Sequence, residues 1–309
     1  MSIEKRIPQG IAGFPVAPFN EGGELDVDAL KVNIEFLLDE GLESIFIACG
    51  SGEYQSLNLQ EYEQMIDTAA DAVRGRVPLY TGVGGNIQEA IVKAKLSEKK
   101  QVDGYLILPP YLIEGEQEGV LQYYTSIITS TNLNAIIYQR NNAILKADTV
   151  EKLVDYPQVV GLKDGHGNME LNIELTHRFE NRLEFLNGMP MAEVTMPAYH
   201  PLGFHGYSSA ISNYIPHISR KFYDALKNGD QETVKDIYQE VIFPINNIRK
   251  KKKGYAVSLI KAGMEIVGLP VNNTARPPVL PVEPAHYEEF KDILQKALKK
   301  YPSKRRLYS

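Results

Sequence analysis

Short apolar runs rich in β-branched and aromatic residues recur along this chain with helical stretches between them, and this alternation limits the possible folds more than any other feature. The runs are Ile11 to Phe19, Ser44 to Cys49, Pro78 to Val83, Gly104 to Leu108, Ala135 to Gln139, Val159 to Lys163, Leu183 to Asn187 and Gly206 to Ile211. Neighbouring parallel strands need a crossover between them, so a strand-helix rhythm points to a parallel sheet with helices outside it. Between the first two runs, Leu30, Ile34, Leu37 and Leu38 share one helical face, with Asp26 or Asp28 as cap and Gly41 as stop. Tyr62, Ile66, Ala69 and Val73 repeat the spacing before Gly75, and similar stretches cover 87–100 and 117–129. A doubly wound sheet more usually stops at five or six strands, whereas these units number eight and end near Asn228. The expected fold is therefore α/β, a (β/α)8 TIM barrel over residues 1–229. Helical patterns around 237–248, 255–267 and 287–298, with a loop over 272–284, predict a C-terminal helical extension over 230–309.

The chain has 309 residues, 43% hydrophobic and 23% charged, which is globular composition with ample material for one large core. A length prior of ~150 residues per domain suggests two domains, but α/β barrels commonly run to ~250 residues as one unit. The formal charge is -6, with 33 basic and 39 acidic residues, so there is no electrostatic footprint for nucleic acid. The short basic runs Arg249 to Lys253 and Lys304 to Arg306 read as a solvated helix face and a tail. The single cysteine, Cys49, excludes an internal disulfide framework and a cysteine-rich metal site. Met1 to Arg6 lacks the apolar core of a signal peptide, and no apolar run nears the ~18 residues of a membrane span. The expectation is a cytoplasmic protein that contacts neither membrane nor nucleic acid and holds no metal.

Alternate strand residues share a face, so Val159, Gly161 and Lys163 point one way and Val160 and Leu162 the other. If the second face meets the outer helices, Lys163 points into the barrel near its catalytic end. An ammonium there is desolvated, which lowers its pKa and frees the amine as a nucleophile toward a ketone. The alternative is a surface lysine paired with Asp164. On the preceding strand, Tyr138 can lie beside that amine, ~4.8 Å away between strands, and serve imine formation as acid and base. Alternatively it is a core tyrosine with a satisfied hydroxyl. The turn Cys49-Gly50-Ser51-Gly52-Glu53 offers backbone amides and the Ser51 hydroxyl to an anion. Gly82-Val83-Gly84-Gly85 is a weaker candidate, and neither matches a nucleotide-binding spacing.

Several segments, in order and spacing along nearly the whole chain, carry a family resemblance. They are Gly50-Ser51-Gly52-Glu53, Pro109-Pro110-Tyr111-Leu112, Tyr138-Gln139-Arg140-Asn141-Asn142-Ala143, Gly161-Leu162-Lys163-Asp164-Gly165, Gly188-Met189-Pro190-Met191-Ala192-Glu193 and Tyr207-Ser208-Ser209-Ala210. The chain resembles the dihydrodipicolinate synthase and N-acetylneuraminate lyase superfamily, and within it the 5-dehydro-4-deoxyglucarate dehydratases. The resemblance implies a Schiff-base lyase that removes water and carbon dioxide from a small keto-diacid, with no cofactor beyond the covalent imine on Lys163. It implies Tyr138 as proton partner, Gly50 and Ser51 as donors to the carboxylate beside the ketone, and a homo-oligomer, dimer or tetramer.

Departures from the wider superfamily narrow the choice. Synthases and lyases usually carry two hydroxyl residues where this chain has Gly50 and Ser51, and a second tyrosine where it has Leu112. In the synthases that tyrosine completes a proton relay in the neighbouring subunit, a relay Leu112 cannot supply. Pro190 stands where lyases hold a sugar chain with an acidic residue. Arg140 can grip a distal carboxylate through two parallel hydrogen bonds, or it can pair with a carboxylate of the protein at the rim. Ser208 and Ser209 are candidates to face the bound imine, although one must point away. His166 reads as a solvated loop residue, Cys49 as a small barrel residue and Glu53 as structural. The other histidines, at positions 177, 200, 205, 217 and 286, lack metal-ligand spacing. Two other functions compete with dehydration: a class I aldolase or synthase of the same superfamily, which releases or uses pyruvate, and a silent sugar-acid binding protein.

Overall fold

The computed structural model describes residues 7–303. Eight parallel strands close into a barrel in chain order: β1 (Gly10–Gly13), β2 (Ser44–Ile47), β3 (Leu79–Gly84), β4 (Gly104–Leu108), β5 (Asn134–Gln139), β6 (Val159–Asp164), β7 (Glu184–Asn187) and β8 (Gly206–Ser209). A helix follows each strand: α1 (Val27–Asp39), α2 (Leu59–Val73), α3 (Ile87–Lys99), α4 (Gln117–Ile128), α5 (Ala147–Val154), α6 (Met169–Phe179), α7 (Ala192–Tyr199) and α8 (Pro216–Lys227). The chain is a TIM barrel, as its rhythm indicates.

The first and last strands are shorter than their apolar runs. Pro15 and Pro18 have no amide hydrogen for the ladder, so pairing ends at Gly13, although Phe14, Val16, Ala17 and Phe19 remain buried. β8 stops at Ser209, and Ile211–Asn213 forms a 3-10 turn. The segments Met1 to Arg6 and Lys304 to Arg306 lie outside the described residues. Asp26, not Asp28, caps α1 by accepting from the Ala29 amide at 2.9 Å. Tyr62, Ile66, Ala69 and Val73 are all buried beneath α2, and Gly82 to Gly84 belong to β3.

One irregularity in the barrel matters for chemistry. Ala135 pairs with Val159, but Ile136 pairs with Gly161, so Val160 is an extra residue in the β5/β6 ladder. The bulge advances the register by one and sets Tyr138 opposite Lys163; a regular ladder would have set it opposite Leu162.

After α8 come α9 (Gln231–Ile237), a π-helical turn over Tyr238–Ile242, α10 (Phe243–Lys251), α11 (Tyr255–Ile266) and α12 (Pro284–Lys300). Pro244 has no amide to donate back into the preceding turn, and the helix widens there. These helices share the barrel's hydrophobic core through Ile237, Ile242, Ile245, Ile248, Leu259 and Phe290. A buried ion pair ties them to the β2–α2 turn. Lys261 donates to Glu53 at 2.6 Å with both side chains fully buried, and the Arg276 amide donates to the other Glu53 oxygen at 2.9 Å. Glu53 is structural, as expected, because both of its oxygens hold the extension in place. Among the described residues, no helix is long and apolar enough to cross a membrane.

Candidate active site

A cavity of about 240 Å³ opens at the C-terminal ends of the strands, where barrels of this kind place their chemistry. Phe14, Gly50, Ser51, Tyr138, Arg140, Lys163, Gly188, Ser208 and Ser209 line it, with Ala256, Val257 and Ile260 of α11 above. Lys163, Tyr138, Gly50, Ser51, Arg140, Ser208 and Ser209, assigned to the site from the sequence, all border this one cavity. Its lining contains three cationic side chains and no Asp or Glu.

Lys163 is buried, 5% exposed, with its amine 4.0 Å from the centroid of the Phe14 ring and 4.6 Å from that of Tyr138. Among the described residues it has no carboxylate partner. Asp164 is occupied elsewhere: it accepts from Gln139, Asn172, Tyr199 and the amides of His166 and Gly167, which removes the surface-pair alternative. Burial lowers the Lys163 pKa from 10.5 to about 7, with the nearby Arg140 charge pushing the same way. Roughly half of the amine is then neutral near pH 7. Gly188 makes room for the lysine stem, since a Cβ there would lie 2.6 Å from Lys163 Cε and 2.7 Å from Cγ.

Tyr138 is nearly buried, and its hydroxyl has two partners. It donates to the Gly188 carbonyl at 3.3 Å and accepts from Arg140 Nη1 at 3.0 Å. Desolvation raises its pKa, while the Arg140 charge and hydrogen bond oppose the rise. Arg140 therefore stabilises a phenolate at the same site where it lowers the lysine pKa. Among the described residues it pairs with no protein carboxylate, contrary to the rim-pair alternative.

The turn after β2 presents Gly50 and Ser51 to the cavity. Ser51 Oγ donates to the Phe14 carbonyl at 2.9 Å, so its proton must rotate to reach a ligand. At β8 the alternation divides the two serines. Ser208 Oγ is only partly buried and lies 3.4 Å from the Asn187 carbonyl. Ser209 also borders the cavity, but its hydroxyl is already engaged: it donates to buried Glu193 at 2.5 Å and accepts from the Ser212 amide, which corrects the expectation that it binds substrate.

The remaining candidates have other roles. Cys49 is buried and its thiol pKa is pushed up to about 12 by desolvation, which leaves it unreactive. His166 is exposed and outside the cavity lining. Leu112 is 98% exposed and also outside the lining. Among the described residues, no cluster of three or more His, Cys, Asp or Glu could hold a metal. Arg249, read from the sequence as part of a solvated run, borders the cavity beside Arg140. A larger depression of about 740 Å³ lies between α8, α9 and the end of α12, but two of its cations are already paired: Arg220 with Glu43, and Lys300 with Asp236 and Glu240.

The chain is similar to known proteins along nearly its whole length. The model of the dihydrodipicolinate synthetase family matches residues 7–297. A probable 5-dehydro-4-deoxyglucarate dehydratase of Oceanobacillus iheyensis is 65% identical over 302 residues, covering 97% of this chain and 98% of the relative. A protein of the same description from Bacillus subtilis is 64% identical over 304 residues, covering 98% and 99%. Among solved structures, a dihydrodipicolinate synthase from Oceanobacillus iheyensis superposes with a TM-score of 0.87 at 28% identity, covering 94% of this chain and 96% of that one.

Proposed function

The chain belongs to the dihydrodipicolinate synthetase family, and we propose that it is a 5-dehydro-4-deoxyglucarate dehydratase working through an imine on Lys163. The observation that carries the mechanism is a desolvated, unpaired lysine amine opposite Tyr138 in a cavity with no carboxylate of its own. Such a site favours an anionic carbonyl compound and supplies the nucleophile and proton carrier that imine chemistry needs. The names of the 63–65% identical relatives support the substrate assignment.

Neutral Lys163 attacks the ketone, and the carbinolamine loses water to give an iminium. The cation acidifies the adjacent methylene, and Tyr138, or a water it orients, takes the proton to leave an enamine. The enamine expels the hydroxyl two carbons from the ketone carbon, giving a conjugated iminium. The distal carboxylate hangs on the carbon next to the far end of that system. Its C–C bond breaks, carbon dioxide leaves, and the bonding pair moves through the conjugated chain to the imine nitrogen. Protonation, tautomerisation of the resulting enol and hydrolysis release 2,5-dioxopentanoate and restore Lys163. The imine is the electron sink at each stage, so this reading calls for no metal or added cofactor. Gly50, Ser51 and Ser208 are the donors assigned to the carboxylate and hydroxyls near the imine, and Arg140 to the distal carboxylate.

The same reading takes the protein as cytoplasmic and as a dimer or tetramer of identical chains. Tyr111, Leu112 and Ile113 form an exposed apolar tip between β4 and α4, a surface that association would cover. The direct test is product identification after incubation with 5-dehydro-4-deoxy-D-glucarate. Carbon dioxide and 2,5-dioxopentanoate in equal amounts are expected; pyruvate without carbon dioxide would assign the chain to the aldolases instead.

A further inference from the structure

The basic run at the end of α10 contains one residue unlike the others. Lys251 and Lys252 pair with Glu289 and Glu283 at the surface. Arg249 instead continues the inward stripe of Ile242, Ile245 and Ile248, four residues after Ile245 on the same helical face. It is partly buried and borders the cavity that holds Lys163, and among the described residues its side chain has no hydrogen-bond or ion-pair partner. Its nearest charged influence is Arg140, of like sign.

Two guanidinium groups and an amine around a small cavity without a carboxylate repel one another. Burial adds to the cost, and desolvation together with the Arg140 charge lowers the Arg249 pKa. Such an arrangement is disfavoured while empty and becomes favourable when an anion enters. Arg140 is already committed in part to the Tyr138 hydroxyl, so it cannot give all its donors to substrate. The Arg249 guanidinium has every donor free among the described residues.

We propose that Arg249, on the C-terminal extension, is a substrate-binding residue that joins Arg140 in holding the carboxylate farthest from the ketone, and so selects diacids over monoacids. The inference deepens the function proposed above and rests on its imine at Lys163 to fix which end of the substrate reaches Arg249. A guanidinium on that carboxylate stabilises the charged ground state, which departure as carbon dioxide must give up. Arg249 therefore acts on KM and selection rather than on the rate of bond breaking.

The test uses borohydride trapping with two 2-oxo acids of equal chain length, 2-oxoadipate and 2-oxohexanoate, which differ only in the distal carboxylate. The wild-type protein is expected to trap the diacid at the lower concentration. Arg249→Met should cut that preference about 10- to 100-fold, the usual effect of losing a charged hydrogen-bond partner. Arg249→Lys, which keeps the charge without the planar fork, should restore part of it. A preference that survives Arg249→Met, or an equal loss for both acids in both variants, overturns the assignment. Wild-type protein that traps neither acid overturns the imine reading and this inference with it. If the preference collapses as expected but 5-dehydro-4-deoxy-D-glucarate yields no carbon dioxide, only the dehydratase reading falls.

Discussion

Replacing Lys163 with methionine should stabilise the fold near neutral pH while abolishing turnover. Burial lowers the folded-state pKa of this lysine from 10.5 to about 7, whereas an unfolded chain retains the ordinary value. Between those values the unfolded state binds a proton that the folded state does not, so wild-type stability rises with pH across the window, by about 1.4 kcal/mol per unit. The cost of burying Lys163 is therefore fully present at and below about pH 7 and gone above 10.5. Integrated over the window it is on the order of 5 kcal/mol, and relaxation around the buried charge brings the gain for Lys163→Met to about 2–4 kcal/mol at pH 7. Methionine has the volume and flexibility to occupy the space between Phe14 and Tyr138. In a chain of this size each kcal/mol moves Tm by roughly 2 °C, so the variant should melt several degrees higher at pH 7 and lose more than half of that advantage by pH 9. Calorimetric scans of both proteins at the two pH values make the comparison. Equal melting at pH 7, or a difference that does not shrink with pH, refutes the claim that a desolvated amine sits in this cavity.

Three further outcomes follow from neighbouring contacts. Gly188→Ala places a Cβ 2.6 Å from Lys163 Cε, and displacing the amine by that amount should lower kcat/KM about 100-fold while the protein stays folded by circular dichroism. Arg140→Met removes a cation that lowers both the Lys163 and Tyr138 pKa values, so both limbs of the pH profile of kcat/KM should move to higher pH; unmoved limbs would detach Arg140 from the proton chemistry. Lys261→Met strands the buried carboxylate of Glu53 and should cost about 3–5 kcal/mol in urea unfolding, most of it recovered by adding Glu53→Gln.

The barrel is legible in the sequence because its period is long and repeated; eight apolar runs at βα spacing leave few alternatives. Lys163 and Tyr138 are legible as candidates, but their facing register is not, since it depends on one extra residue at Val160 that no local pattern marks. Ser208 and Ser209 are a related case. Alternation says that they diverge, and only the barrel shows that Ser209 turns to Glu193. The contact between Arg140 and Tyr138 depends on the chain reversal just after β5, where Asn141 takes a positive φ of 50°. Arg249 was hidden by its company. Five cations in a row read as a solvated face, and the contrary signal was its phase with Ile245 rather than its charge.

The most direct test of the central claim is the mass of the protein after borohydride reduction in the presence of 5-dehydro-4-deoxy-D-glucarate. The account predicts a covalent adduct that maps to the peptide containing Lys163 and is absent from Lys163→Met. An unchanged intact mass, or an adduct on another lysine, contradicts it.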